Sequence, residues 1–129
     1  MYKRQGKLYD IKDLKKKIEY LSEKLRLGDI INKLTGELSS GQKNRVSLAK
    51  SIINDPLVLL LDEPTSSMDQ GTEKKVVEAL KTIADKKTML IVTHRNPILS
   101  MVDRVFVLEG GKIMTDQTPQ QLGIKQVNN

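Results

Sequence analysis

Residues 57–63 read Leu-Val-Leu-Leu-Leu-Asp-Glu and lie between Pro56 and Pro64. A continuous aliphatic run of this length, bounded by turn-forming residues, is typical of a strand buried on both faces of a parallel sheet. The run is far shorter than the roughly 20 apolar residues that a membrane-spanning helix needs. We therefore expect a β-strand over 57–61, with Asp62 and Glu63 at its carboxyl end.

Helical and extended patterns alternate beyond this strand. The predicted downstream elements are a helix over 72–84, a second buried strand over 88–93, a short helix from Asn96-Pro97 to residue 102, a hairpin whose strands 104–109 and 112–115 flank Gly110-Gly111, and a last helical turn from Thr118-Pro119. A strand–helix–strand order with short loops indicates an α/β fold.

Upstream of the strand the pattern predicts helices only. Residues 12–27 form an amphipathic helix that Gly28 ends, and a short turn from Asp29 follows. Ser39 and Ser40 can cap a second helix, which the sequence Asn-Asp-Pro ends at residues 54–56. The predicted inward positions are Leu14, Ile18, Leu21 and Leu25 in the first helix, and Val46, Ala49, Ile52 and Ile53 in the second.

The composition is that of a globular domain. The length of 129 residues suits one domain, and 38% of the residues are hydrophobic and 29% charged. The absence of Cys excludes disulfides and thiolate chemistry. The net charge is +6, and the first 50 residues hold 13 Lys/Arg against 6 Asp/Glu. A basic half fits nucleic acid, a membrane surface or solvated helix faces. Because aromatic residues make up only 3%, stacking platforms are scarce, and solvated faces are favoured.

The acidic pair after the predicted strand is the first candidate site, because open parallel sheets bind ligands at the carboxyl ends of their strands. Asp62 can hold Mg²⁺, directly or through water. Glu63 can polarise a water molecule for attack on a phosphate. An acidic pair that merely begins a solvated loop has the same sequence pattern.

Three further motifs accompany the acidic pair. The stretch Leu38-Ser39-Ser40-Gly41-Gln42 precedes a helix, and its hydroxyls, its glycine and the helix N-terminus together favour phosphate. The turn at 66–69 reads Ser-Ser-Met-Asp, and His94, the only histidine, follows the second strand. Parallel strands would bring His94 to the same sheet edge as Glu63. The plainer alternatives are capped helix starts for the first two motifs and a structural role for the histidine.

In this order the four motifs strongly resemble those of an ABC-type ATPase domain, from about residue 9 to residue 119. In that family, residues 38–42 would be the signature motif, 57–63 the Walker B strand with the catalytic glutamate, 66–69 the D-loop and His94 the switch histidine. The resemblance implies a P-loop-NTPase-like parallel sheet with flanking helices. Part of an α-helical subdomain would precede the sheet, and the sheet's N-terminal strands would be missing.

The resemblance also implies individual roles. Asp62 would organise Mg²⁺, Glu63 would polarise the attacking water, and His94 would contact the γ-phosphate of ATP. Asp69 would lie at a dimer interface and couple its two sites. The residues that would contact ATP bound mainly to the opposite subunit are Ser39, Ser40, Gly41 and Gln42. The commonest signature motif has Gly at the position of Ser40, and we do not expect this difference to be inactivating.

No Gly-x-x-x-x-Gly-Lys-Ser/Thr P-loop occurs in the sequence: Gly36 and Gly41 have its spacing, but Gln42-Lys43 follows. We therefore expect the C-terminal portion of an ATP-binding domain, inactive by itself. Its predicted parts are the end of the helical subdomain with the signature helix over 1–50, the C-terminal part of the ATPase core over 51–122, and a polar tail over 123–129.

The implied function is ATP hydrolysis in an ABC transporter, at the cytoplasmic face of a membrane and without a membrane span in this chain. The implied partners are a second ATPase domain and transmembrane subunits, and nucleic acid is not expected. One alternative is an ABC-type ATPase that acts on nucleic acid or ribosomes, which the basic half suggests. Another is a non-catalytic fragment that supplies only the signature surface.

Overall fold

The computed structural model describes residues 13–85 and 87–124. They divide into two compact units, the first ending at Thr93 and the second beginning at His94. The first unit contains α1 (Leu14–Lys24), a 3₁₀ turn (Thr35–Glu37), α2 (Ser40–Ile52), β1 (Val58–Asp62), α3 (Gln70–Ala84) and β2 (Thr88–Val92), and the second contains α4 (Asn96–Leu99), β3 (Val105–Glu109) and β4 (Lys112–Gln117). The predicted α/β class is confirmed. None of the described helices is both long and apolar enough to cross a bilayer.

Helix α1 is shorter than the sequence predicts. Its last residue is Lys24, and the predicted first residue, at position 12, lies outside the described residues. The residue with left-handed backbone behind the helix is Arg26, with φ 52°, rather than Gly28. The leucines on either side of Arg26 are fully buried, and their packing fixes a backbone conformation that a non-glycine residue adopts at a cost.

The core of the first unit lies among its helices and one face of its strands. Helix α2 packs on β1, and α1 packs on α3. The inward side chains are Ile18 and Leu21 on α1, Leu48, Ala49 and Ile52 on α2, and Val76, Val77, Ala79 and Leu80 on α3. Leu48 takes the inward position that the pattern gave to Val46, which is half-buried.

Strands β1 and β2 pair in parallel, with Leu60 opposite Leu90 and Asp62 opposite Val92. Burial alternates along β1, so that Leu59 is buried while Leu60 is 69% exposed. The prediction that both strands are buried on both faces is therefore wrong for the described residues. An unbroken aliphatic run indicates that both faces suit burial, but the described helices cover only one face of a two-stranded sheet.

The second unit is built on a hairpin. Gly110 and Gly111 both have positive φ, 55° and 75°, as a two-residue turn between antiparallel strands requires. Strand β4 extends two residues beyond its predicted end, and α4 stops before residue 102. The predicted turn at Thr118 is present, because Leu122 donates its backbone N–H to the Thr118 carbonyl at 3.3 Å.

Candidate functional site

Glu63 is held by the ends of both strands. Its backbone N–H donates to the Val92 carbonyl at 2.8 Å, and its Oε2 accepts a hydrogen bond from Thr93 Oγ1 at 3.3 Å. Its φ is 43°, in the left-handed region that costs a non-glycine residue about 1 kcal/mol or more. The half-buried Glu63 side chain is thus fixed at the carboxyl edge of the parallel strands, where the sequence predicted it.

Asp62 is the last residue of β1, and its side chain is exposed. In the part of the chain that the structure describes, no three His, Asp or Glu side chains group as a metal-binding set. Mg²⁺ is commonly held by one or two carboxylates, with waters and substrate phosphates completing its coordination. An exposed Asp62 at the strand end therefore fits Mg²⁺ that arrives with a nucleotide.

The start of α2 is closed by a reciprocal pair of hydrogen bonds. Ser39 Oγ accepts from the Gln42 backbone N–H at 3.3 Å, and Gln42 Oε1 accepts from the Ser39 backbone N–H at 3.0 Å. The side chain of Gln42 is therefore used within the helix cap. Ser39 and Ser40 remain exposed, beside the positive end of the helix dipole. The structure therefore shows the helix cap, and phosphate binding at Ser39 and Ser40 stays a prediction.

Gly41 lies against the loop that follows Glu63. A Cβ atom on Gly41 would lie 2.4 Å from the backbone carbonyl oxygen of Ser67, too close for any real side chain. The sequence indicated that this glycine permits a close backbone approach. The structure identifies the Ser67–Met68 backbone as a group that makes that approach within the chain.

Asp69 is the N-cap of α3. Its Oδ1 accepts a hydrogen bond from the Thr72 backbone N–H at 2.9 Å. Hydrogen bonds from Thr72 lower the pKa of Asp69 below its ordinary value, since they stabilise the charged carboxylate. The side chain is exposed, so its predicted role at a dimer interface stays a prediction beside its capping role.

His94 is the first residue of the second unit, and its side chain is exposed. It directly follows Thr93, whose hydroxyl donates to Glu63. The chain therefore brings a threonine, which the sequence did not single out, to the predicted catalytic glutamate. The assignment of His94 to the γ-phosphate stays a prediction.

A second contact that the sequence did not predict joins two buried residues, Thr65 in the loop after Glu63 and Glu73 on α3. Thr65 Oγ1 donates to Glu73 Oε1 at 2.8 Å, and the two residues are 0% and 4% exposed. A sequence signal existed, because Glu73 precedes Val76 and Val77 by three and four residues and so lies on the apolar face of α3. A carboxyl group at an inward helical position predicts a buried partner.

Arg45 connects α2 to the end of α1. Its Nη1 donates to the backbone carbonyls of Leu25, at 3.3 Å, and Arg26. These carbonyls belong to the helix end, where backbone acceptors lack intrahelical donors. Burial, followed by the nearby charge of Arg26, lowers the pKa of Arg45. No local sequence pattern predicts this contact, which joins residues about 20 positions apart.

Comparisons with known proteins agree on one family. A family model described as "ABC transporter" matches residues 3–66. A putative ABC transporter ATP-binding protein of Mycoplasma genitalium is 38% identical over 107 residues, which is 81% of this chain and 34% of that protein. The macrolide export ATP-binding/permease protein MacB of Bdellovibrio bacteriovorus is 33% identical over 123 residues, 95% of this chain and 18% of that protein.

Among solved structures, an ATP-binding cassette dimer in a post-hydrolysis state, bound to ADP and Pi, aligns with a TM-score of 0.74. That alignment has 26% identity and covers 84% of this chain and 49% of the cassette chain. The present chain thus spans about half of that cassette and about a third of the Mycoplasma genitalium relative.

Proposed function

The chain belongs to the ABC transporter family of ATP-binding domains, and from this we propose that it works as an ATP-hydrolysing module of a transporter. The observation that carries the proposal is the placement of Glu63. Its backbone and its carboxyl group are both held at the carboxyl edge of a parallel strand pair. In the same unit, Ser39 and Ser40 are exposed at the start of α2.

In the proposed mechanism each group performs a separate task. The Glu63 carboxylate accepts a hydrogen bond from the attacking water and orients it toward the γ-phosphate. The hydroxyls of Ser39 and Ser40 and the N-terminal backbone amides of α2 bind phosphate oxygens of a nucleotide held mainly by another subunit. Asp62 would hold Mg²⁺, which would neutralise part of the negative charge on the phosphates. His94 contacts the γ-phosphate, and Asp69 couples the two sites.

The proposed partners are a second ATPase domain and transmembrane transporter subunits, at the cytoplasmic face of a membrane. The dimeric state of the solved cassette supports the first partner. Support for the second comes from the Bdellovibrio bacteriovorus relative, whose name joins an ATP-binding part to a permease. We propose further that these 129 residues alone turn over ATP negligibly, because they contain no P-loop to cradle the phosphates.

The test compares Mg²⁺-dependent ATP hydrolysis by the full chain alone and by the full chain mixed with a cassette piece that carries a P-loop. We expect negligible turnover from the chain and measurable turnover from the mixture. In the mixture, Glu63→Gln should lower kcat by about 100-fold or more, since it removes the group that orients the water. The matched control is Glu78→Gln, which changes an exposed carboxyl group on α3 of the same unit and should leave kcat unchanged.

Two results would contradict the proposal. Robust hydrolysis by the chain alone, abolished by Glu63→Gln, would show that no external P-loop is needed. A mixture that gains no activity would instead favour a fragment that supplies only the signature surface.

A further inference from the structure

The amino end of α2 touches the loop after Glu63 at two points. One is the close approach of Gly41 to the Ser67 carbonyl, where a Cβ atom would lie 2.4 Å away. The other is made by Asn44, less than one helical turn later. Its Nδ2 donates to the Ser66 carbonyl oxygen at 2.8 Å and to Ser66 Oγ at 2.9 Å.

The orientation of the Asn44 amide follows from its partners. A backbone carbonyl oxygen can only accept, so the group that faces it must be the NH₂ of the side chain. Asn44 is half-buried, and both acceptors belong to one residue 22 positions away. Such a two-point contact fixes the direction of the Ser66 peptide as well as its distance from α2.

The loop carries this constraint to Glu63 and Asp69. Ser66 donates its backbone N–H to the Glu63 carbonyl at 3.0 Å, which closes a turn directly behind the predicted catalytic residue. Ser67 follows with φ 61°, a left-handed conformation that persists only when its surroundings hold it. Asp69 then caps α3. A shift of Ser66 therefore moves the residues that lead to both carboxyl groups.

We propose that Asn44 is a positioning residue, which ties the nucleotide-facing start of α2 to the loop that carries Glu63 and Asp69. The inference rests on the proposed function. Nucleotide contact at Ser39 and Ser40 and water activation at Glu63 are then linked within one subunit by a single side chain. Asn44 touches neither the nucleotide nor the water, so its loss affects the rate of the chemical step more than nucleotide binding.

The first experiment examines the loop in the full chain, without nucleotide. Met68, which lies between Ser67 and Asp69 in the sequence, is buried. The NMR resonance of its ¹³C-labelled methyl group therefore reports the packing of the loop. We expect Asn44→Ala and Asn44→Asp to move the Met68 resonance. Ala has the higher helix propensity, so the first variant does not weaken α2 itself. Ser47→Asp adds the same charge at an exposed position of α2 and should leave the resonance in place.

The second experiment measures ATP hydrolysis in the mixture with the P-loop piece. Loss of the two hydrogen bonds of Asn44 should lower kcat by about tenfold, with KM changed less than about twofold. Ser66→Ala keeps the carbonyl acceptor and should have a smaller effect. A purely structural role would instead lower the fraction of active protein equally in all assays, which active-site titration detects.

The outcomes separate the two proposals. An unmoved Met68 resonance in both Asn44 variants overturns the positioning role, even if hydrolysis is normal. If the wild-type mixture hydrolyses ATP and Asn44→Ala has the same kcat, the positioning role is also overturned, while the proposed function is supported. A wild-type mixture without hydrolysis contradicts the proposed function, and the positioning role fails with it.

Discussion

The Thr65 hydroxyl is fully buried and donates a hydrogen bond to the carboxyl group of Glu73, which is also buried. A hydroxyl removed from water without a partner costs free energy, so the bond to Glu73 offsets that cost. The bond also joins the loop after Glu63 to the first turn of α3. The bond therefore stabilises the loop two residues after Glu63, the candidate catalytic residue.

Replacing this threonine tests the contact. Thr65→Val keeps the shape and removes the donor, which leaves the buried Glu73 carboxyl with one partner fewer. We expect the free energy of unfolding to fall by about 1–3 kcal/mol, measured by urea denaturation. Thr82→Val makes the same change at an exposed position of α3 and should stay within about 0.5 kcal/mol of the parent chain. Equal effects of the two variants would show that the bond contributes nothing.

Single residues differ in how far the sequence predicts them. The placement of Asp62 and Glu63 at the carboxyl end of a strand was predictable, because they follow an aliphatic run. The contact of Thr93 with Glu63 was not, since its partner lies 30 positions away along the chain. The left-handed backbone of Glu63 was equally hidden, because glutamate does not favour it.

Helix starts, in contrast, are encoded in a few adjacent residues. The reciprocal bonds between Ser39 and Gln42 satisfy two backbone N–H groups at positions that no helical carbonyl can reach. At the start of α3, Asp69 accepts a hydrogen bond from one such group, the backbone N–H of Thr72. Such caps depend on contacts between residues three positions apart, so the sequence predicted the cap at Ser39 directly and offered the Asp69 cap as an alternative.

The cap of α2 gives a prediction for the helix as a whole. Ser39→Ala removes the acceptor for the Gln42 N–H and should destabilise the chain by about 1 kcal/mol, seen as a lower midpoint in thermal unfolding followed by circular dichroism. Ser40→Ala changes the first helical residue, which caps nothing, and should have little effect. A midpoint lowered more by Ser40→Ala than by Ser39→Ala would contradict the cap assignment.

The boundaries of the elements were predicted less well than their order. Helix α3 begins two residues before its predicted start, because Asp69 and not a later residue is the cap. Helix α1 ends before its predicted stop at Gly28, because tertiary packing of the leucines around Arg26 overrides the preference for glycine. Local propensity is a weak guide wherever buried contacts fix the backbone.

Across the first unit, one face of the strand pair is apolar and uncovered in the described chain. Leu60 is 69% exposed and its partner Leu90 is 56% exposed, with Val58 and Val92 beside them. In the described residues, neither outer edge of this strand pair is joined by a further strand. Exposed aliphatic side chains next to open strand edges favour association with another apolar surface.

This face predicts the behaviour of the isolated chain in solution. We expect concentration-dependent self-association by light scattering, and we expect Leu60→Lys to reduce it without lowering thermal stability, because the lysine ammonium stays in water. Leu61→Lys places the same charge on the buried face and should unfold the chain. A wild-type chain that stays monomeric at high concentration would contradict the expectation.

Patterns among neighbouring residues were enough to predict the α/β order and the family resemblance, because periodicity, caps and motifs are local properties of a sequence. Tertiary packing determines which groups come into contact: Gly41 with the Ser67 carbonyl, Asn44 with Ser66, and Glu73 with Thr65. It also decided that one face of an entirely aliphatic strand stays open in the described chain. These contacts, and the covering of a strand face by helices, depend on how distant segments of the chain pack. A local sequence pattern does not predict that packing.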